Sequence, residues 1–101
     1  MRSSAANQPL PREQAETLGL QALGWLAGND DLSGAFLGAS GLSSDDLKAR
    51  AADPEFLGFV LDFLMGDEDA LIACCEALSI PPDLPARARA GLPGGDLPHW
   101  T

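Results

Sequence analysis

The chain has few of the residues that build β-sheets. Tyrosine is absent, valine occurs once and isoleucine twice, and these are among the residue types enriched in strands. Alanine and leucine, two of the strongest helix formers, dominate instead. No glycine-rich phosphate loop, dinucleotide fingerprint or nucleophile elbow occurs. The composition therefore predicts an all-α protein without a recognisable cofactor motif.

Basic residues are also scarce: six Lys and Arg stand against fifteen Asp and Glu, a net charge of −9. Ten of those acids and two of the bases lie in residues 30–69, which sum to −8. Because nucleic acids and anionic lipids are bound mainly by Lys and Arg, we expect neither nucleic acid nor membrane as a partner. The longest apolar stretch, residues 56–65, falls short of a membrane span. With no apolar signal segment at the start, the expected compartment is the cytoplasm.

Histidine and cysteine are too few to suggest catalysis or metal binding. Cys74 and Cys75 are adjacent on a predicted helix, so their side chains diverge, and we expect two buried free thiols. His99 is the single histidine and lies near the end of the sequence. Asp62 is the one semi-buried carboxylate expected, and it has no evident catalytic partner. We therefore predict no enzyme activity, no cofactor and no metal.

Capping residues, prolines and glycines divide the chain into helices. The first predicted helix runs from Pro11 to about Ala27, the second from a cap at Asp30 or Asp31 to Gly38–Gly41, and the third from a cap at Ser43 or Ser44 to about Ala52. The fourth runs from Asp53-Pro54-Glu55 to Gly66, the fifth from Asp67-Glu68-Asp69 to Ile80-Pro81-Pro82, and the sixth from Asp83-Leu84-Pro85 to Gly91. The fold predicted is a compact all-α bundle of about five to six short helices with orthogonal packing. We expect one helical domain over residues 10–92, a disordered tail over residues 1–9 and an irregular tail over residues 93–101.

The fourth helix is apolar nearly all round, with a narrow polar edge at Gly58 and Asp62. Phe59 and Phe63, spaced i and i+4, are predicted to form an aromatic pair. Two interpretations stay open: burial of both rings by Trp25 or Trp100, or a partner-binding face formed by Phe59, Phe63 and Met65. The residues predicted to be buried in one core are Leu18, Leu26, Phe36, Leu47, Leu57, Leu61, Leu64, Leu71 and Leu78.

Several short motifs resemble a known family. They are FLGASGL at 36–42, DPEFL at 53–57, VLDFL at 60–64, DE at 67–68 and IPP at 80–82. Together they are similar to short alphaproteobacterial proteins known only as a domain of unknown function, over roughly residues 15–92. The resemblance implies a bacterial, helical, single-domain protein, and it implies no activity and no site residue.

Two functions of different classes are compatible with these features. The first is a non-enzymatic interaction or regulatory module that binds a protein partner or a second copy of itself. The alternative is a helix-turn-helix nucleic-acid-binding protein formed by the second and third helices. The net charge of −9 disfavours the alternative, and so do Asp45 and Asp46, which stand where a recognition helix would meet DNA.

Overall fold

The computed structural model describes residues 8–93, and within that range the chain forms six helices and no strand. The helices are α1 (Arg12–Ala27), α2 (Asp30–Ser40), α3 (Ser44–Arg50), α4 (Pro54–Met65), α5 (Glu68–Leu78) and α6 (Leu84–Ala90). The prediction of an all-α bundle of short helices is confirmed.

Side-chain caps start four of the helices. Ser43, Asp53 and Asp67 each accept a hydrogen bond from a backbone N–H of the helix that follows, as the sequence predicts. The cap of α2 was predicted wrongly: Asn29, not Asp30 or Asp31, accepts from the backbone N–H of Leu32 at 3.2 Å. The two aspartates lie instead in the first turn of α2, where their charge opposes the positive end of the helix dipole.

Helices α1 and α4 form the centre of the core. α1 also contacts α2, α5 and α6, and α4 also contacts α5 and α6. Their close approach depends on Gly19, because a Cβ atom there would lie 2.9 Å from Cβ of Leu57. The core is made of buried apolar side chains from all six helices and both flanking segments, among them Leu10, Leu18, Leu23, Leu26, Phe36, Leu47, Phe56, Leu57, Val60, Leu61, Leu64, Cys74, Ala88 and Leu92.

Two of the predicted core residues lie at its margin. Leu71 and Leu78 of α5 are half-buried, whereas Ala70, Cys74 and Cys75 are the buried residues of this helix. Small side chains occupy the buried positions of α5, and the two longer leucines pack against the margin of the core. The prediction that Leu71 and Leu78 are largely buried is therefore wrong.

The segment before α1 is attached to α6. The backbone N–H of Leu10 donates to the carbonyl of Arg87 at 3.0 Å, and Nε of Arg87 donates to the carbonyl of Gln8 at 2.9 Å. Gly91 faces the Leu10 carbonyl so closely that a Cβ atom would collide with it. The predicted tails fall largely on residues 1–7 and 94–101, which lie outside the described residues, as do Trp100 and His99. The predicted boundaries of the domain stay a prediction.

Candidate functional site

Four phenylalanines meet at one side of the bundle, around Phe36. Phe36 is fully buried, and its ring centroid lies 5.9 Å from that of Phe56, 5.5 Å from that of Phe59 and 5.1 Å from that of Phe63. The sequence predicts that Phe59 and Phe63 pair with each other. The structure instead brings both rings against Phe36, a side chain of α2. Edge-on and tilted arrangements at these distances are favourable for aromatic rings.

Phe59 is the member of this cluster that remains open to solvent, with 39% of its surface exposed. Phe63 is half-buried and packs against the core. Because Phe59 is exposed and Phe63 is only half-buried, full burial of both rings is not what the structure shows. Beside Phe59 lies a groove of about 330 Å³, here called the Phe59 groove. It is lined by Ser40, Leu42, Arg50, Asp53, Glu55, Phe56 and Phe59.

Met65, the third residue predicted for the partner-binding face, lies on another side of α4. Successive helical residues are turned by about 100°, so Met65 stands about 120° around the helix from Phe59. Its side chain is half-buried and packs against the core. The aromatic ridge of Phe59 and Phe63 is therefore separated from Met65 by the edge that carries Asp62.

The polar edge of α4 receives a side chain from α6. Nε of Arg89 donates to Oδ1 of Asp62 at 2.8 Å, and Nη1 of Arg89 donates to the carbonyl of Pro93 at 3.1 Å. Gly58 leaves room for the guanidinium, since a Cβ atom there would lie 2.8 Å from Nη1. Asp62, the candidate acid or base of the sequence, thus forms an ion pair that fixes two helices. Sequence reasoning missed Arg89, although a glycine and an acid four apart on an apolar helix are a signal for a polar side chain from elsewhere.

The two cysteines are free and buried, which confirms the sequence prediction. Burial raises the pKa of Cys74 to about 11, and the neighbouring Cys75 adds to the effect. Burial also raises the pKa of Cys75, with a smaller contribution from the carboxylate of Asp83. Both groups are therefore protonated thiols at neutral pH, a form that is a poor nucleophile and a poor metal ligand.

The carboxylates at the start of α3 are engaged in capping. The backbone N–H of Ser43 donates to Oδ2 of Asp46 at 3.0 Å, and the Ser43 hydroxyl donates to the same oxygen at 3.1 Å. These two hydrogen bonds, with Arg50 nearby, hold the pKa of Asp46 below its ordinary value. Asp45 is exposed beside it. The end of α3 that a helix-turn-helix protein would present to DNA is therefore anionic.

Within residues 8–93, no three His, Cys, Asp or Glu side chains come together as metal ligands would. None of the helices described is both long and apolar enough to span a lipid bilayer.

The fold and the Phe59 groove define a small all-helical domain with a half-exposed aromatic cluster on one side. The chain belongs to the family described as protein of unknown function (DUF3572), whose model matches residues 12–95. No curated protein and no solved structure matches the chain.

Proposed function

We propose that this protein is a non-enzymatic interaction module that binds a basic amphipathic helix of another protein in the Phe59 groove. The observation that carries the proposal is the exposure of Phe59, 39% of whose surface faces solvent on an otherwise well-packed cluster. Phe36 and Phe56 hold the ring in place from beneath. An aromatic ring that is already positioned loses little conformational entropy when a partner covers it.

The charges around the groove support a basic partner. The charged residues that line the groove are two acids, Asp53 and Glu55, and one base, Arg50. The surrounding segment, residues 30–69, sums to −8. A field of this sign attracts Lys and Arg on the flanks of an approaching helix, while its apolar side chains supply the affinity by covering Phe59 and Phe63. Met65 lies on the other side of Asp62, so a bound helix contacts Met65 only if it is long enough to extend past Asp62.

The test is a titration of the isotopically labelled protein, followed by NMR, with a helical peptide built of Leu and Lys. We expect chemical-shift changes that cluster on Leu42, Phe56 and Phe59. A matched peptide of Leu and Glu should leave these signals unchanged, because the acidic groove repels it. Duplex DNA, as a third probe, should cause no change at low salt. Shifts centred on α3 with DNA that fade as salt rises would overturn the proposal in favour of the nucleic-acid-binding alternative.

Two variants make the titration specific. Phe59→Ser should abolish the peptide shifts, because it removes the apolar contact at the centre of the groove. Ile72→Ser is the matched control, since Ile72 on α5 is exposed to a similar degree, 42%, and it should leave binding unchanged. Equal binding by both variants would contradict the proposal, because the peptide would then be held by net charge alone.

We also propose the cytoplasm of a bacterium as the setting, and an alphaproteobacterium as the source. The free thiols of Cys74 and Cys75 support a reducing compartment. The family resemblance of the sequence motifs supports the source. Fractionation of cells that express the tagged protein tests the compartment, and recovery outside the cytoplasmic fraction would contradict it.

A further inference from the structure

Another groove, lined mainly by apolar side chains, lies between α1 and α3. It has a volume of about 150 Å³ and is lined by Leu20, Leu23, Gly24, Ala27, Leu47, Lys48 and Ala51. At its edge stands Leu20, which is 50% exposed, the largest exposure among the bulky apolar side chains of residues 8–93. Lys48 is the one charged residue of the lining. We call this surface the Leu20 face.

No close contact inside the chain requires a glycine at position 24, one turn beyond Leu20. A Cβ atom at this position would meet nothing within 4 Å, in contrast to Gly19, where the Leu57 side chain requires a glycine. A glycine in the middle of a helix lowers helix stability relative to alanine. Leu20 and Gly24, spaced i and i+4, therefore form a projecting side chain beside a notch on one exposed ridge of α1.

The ridge that carries Leu20 and Gly24 lacks the negative charge found on the rest of the protein. Residues 17–29 contain no charged side chain, although the chain carries a net charge of −9. Two copies that meet through α1 would therefore bring no carboxylates together at the centre of the contact. The nearest acids on α1 are Glu13 and Glu16, both in its N-terminal half.

We infer that the Leu20 face is covered by a second copy of this chain, with the two α1 helices antiparallel. A twofold axis between Leu20 and Gly24 places Leu20 of each copy over Gly24 of the other, so that one surface is complementary to itself. Glu16, one turn before Leu20, is paired with Arg12 within its own chain, with Nε and Oε2 2.9 Å apart, so it adds no unpaired charge beside the contact. This self-association is independent of the Phe59 groove.

Sedimentation velocity over a range of protein concentrations tests the inference. We expect the mass to rise with concentration from that of one chain, 10.5 kDa, toward twice that value. Leu20→Lys should raise the dissociation constant at least about tenfold, since it replaces the projecting apolar group with a charge. Gly24→Gln should weaken association in the same way by filling the notch, while its monomer stays as stable as the wild type or becomes more stable.

Matched controls exclude a loss of folding and a different interface. Ile72→Lys, at the exposed position on α5, and Phe59→Lys, in the other groove, should leave the dissociation constant unchanged. Thermal unfolding by circular dichroism verifies that each variant is folded.

Three results would overturn the inference. The first is a wild-type mass that stays at one chain up to the highest concentration reached. The second is a dimer that survives both Leu20→Lys and Gly24→Gln. The third is a dimer that Phe59→Lys dissociates, because the contact would then lie at the Phe59 groove.

Discussion

The guanidinium of Arg89 lies over Gly58 and binds Asp62, with Nε and Oδ1 2.8 Å apart. This contact joins α6 to the polar edge of α4, and a second hydrogen bond from Arg89 to the carbonyl of Pro93 holds the chain after α6. Asp62 is half-exposed while Arg89 is largely buried. The ion pair therefore specifies how α6 is oriented on α4 more than it adds to stability.

Gly58→Ala tests this relationship. A methyl group at position 58 would lie 2.8 Å from Nη1 of Arg89, so the guanidinium must shift and its hydrogen bond to Asp62 is disturbed. We expect this variant to be less stable in urea unfolding than Gly34→Ala by up to about 1 kcal/mol, because a charged hydrogen bond contributes roughly 1.5–3 kcal/mol away from water and less at a carboxylate that is 50% exposed. Gly34 is a matched control because a Cβ atom there meets nothing within 4 Å. In an Arg89→Ala background the two alanine variants should become equal, and a persistent difference would show that Arg89 is not the cause.

Leu61 is expected to be among the most costly positions to truncate. Its side chain is 1% exposed in the middle of α4, so Leu61→Ala should lower the free energy of unfolding by about 2–5 kcal/mol. Leu20→Ala removes the same atoms at a half-exposed position, and it should change the stability of the monomer by less than about 0.5 kcal/mol. Denaturant unfolding at low protein concentration measures both. Similar losses at the two sites would mean that the packing of α4 differs from that described.

Local signals in the sequence are sufficient for the helices but not for their contacts. The caps at Ser43, Asp53 and Asp67 could be predicted because each side chain acts on backbone within three residues. The cap at Asn29 was missed because two aspartates follow it and any of the three side chains is suitable. Helix propensity alone does not determine which of several neighbouring side chains caps a helix.

Long-range contacts account for the other errors. Periodicity places Leu71 and Leu78 on the same face of α5 as Cys74, but the depth of burial depends on how closely the neighbouring helices approach, which the small side chains of α5 determine. Likewise, the i, i+4 spacing of Phe59 and Phe63 predicts that they pair, and it contains no information about Phe36, which arrives from α2. The sequence singles out Phe59 on α4, but the groove beside this residue could not be predicted, because Ser40 and Leu42 come from another part of the chain.

The capping box of α3 should respond to acid. Hydrogen bonds from the backbone N–H and hydroxyl of Ser43 lower the pKa of Asp46 from its ordinary value of 3.8. A lowered pKa in the folded state means that the stabilisation is complete above the ordinary value and is lost as the pH falls through the lowered one. An NMR titration of the Asp46 carboxyl carbon measures the midpoint. Ser43→Ala removes one of the two hydrogen bonds and should raise that midpoint toward 3.8, whereas Ser44→Ala should leave it unchanged.

The thiols of Cys74 and Cys75 should be protected from modification in the folded protein. Burial raises the pKa of Cys74 from 9.0 to about 11, which lowers the fraction of thiolate at neutral pH about a hundredfold. The raised pKa also makes stability depend on alkaline pH: its contribution is fully present below 9.0 and is lost as the pH rises through about 11. We expect a disulfide reagent at neutral pH to react rapidly with both thiols in denaturant and only slowly with them in buffer. Leu61→Ala should speed the reaction in buffer, because the reaction requires the core to open and this variant opens more readily. Fast labelling of the wild type in buffer would show that the two thiols are not buried in the core.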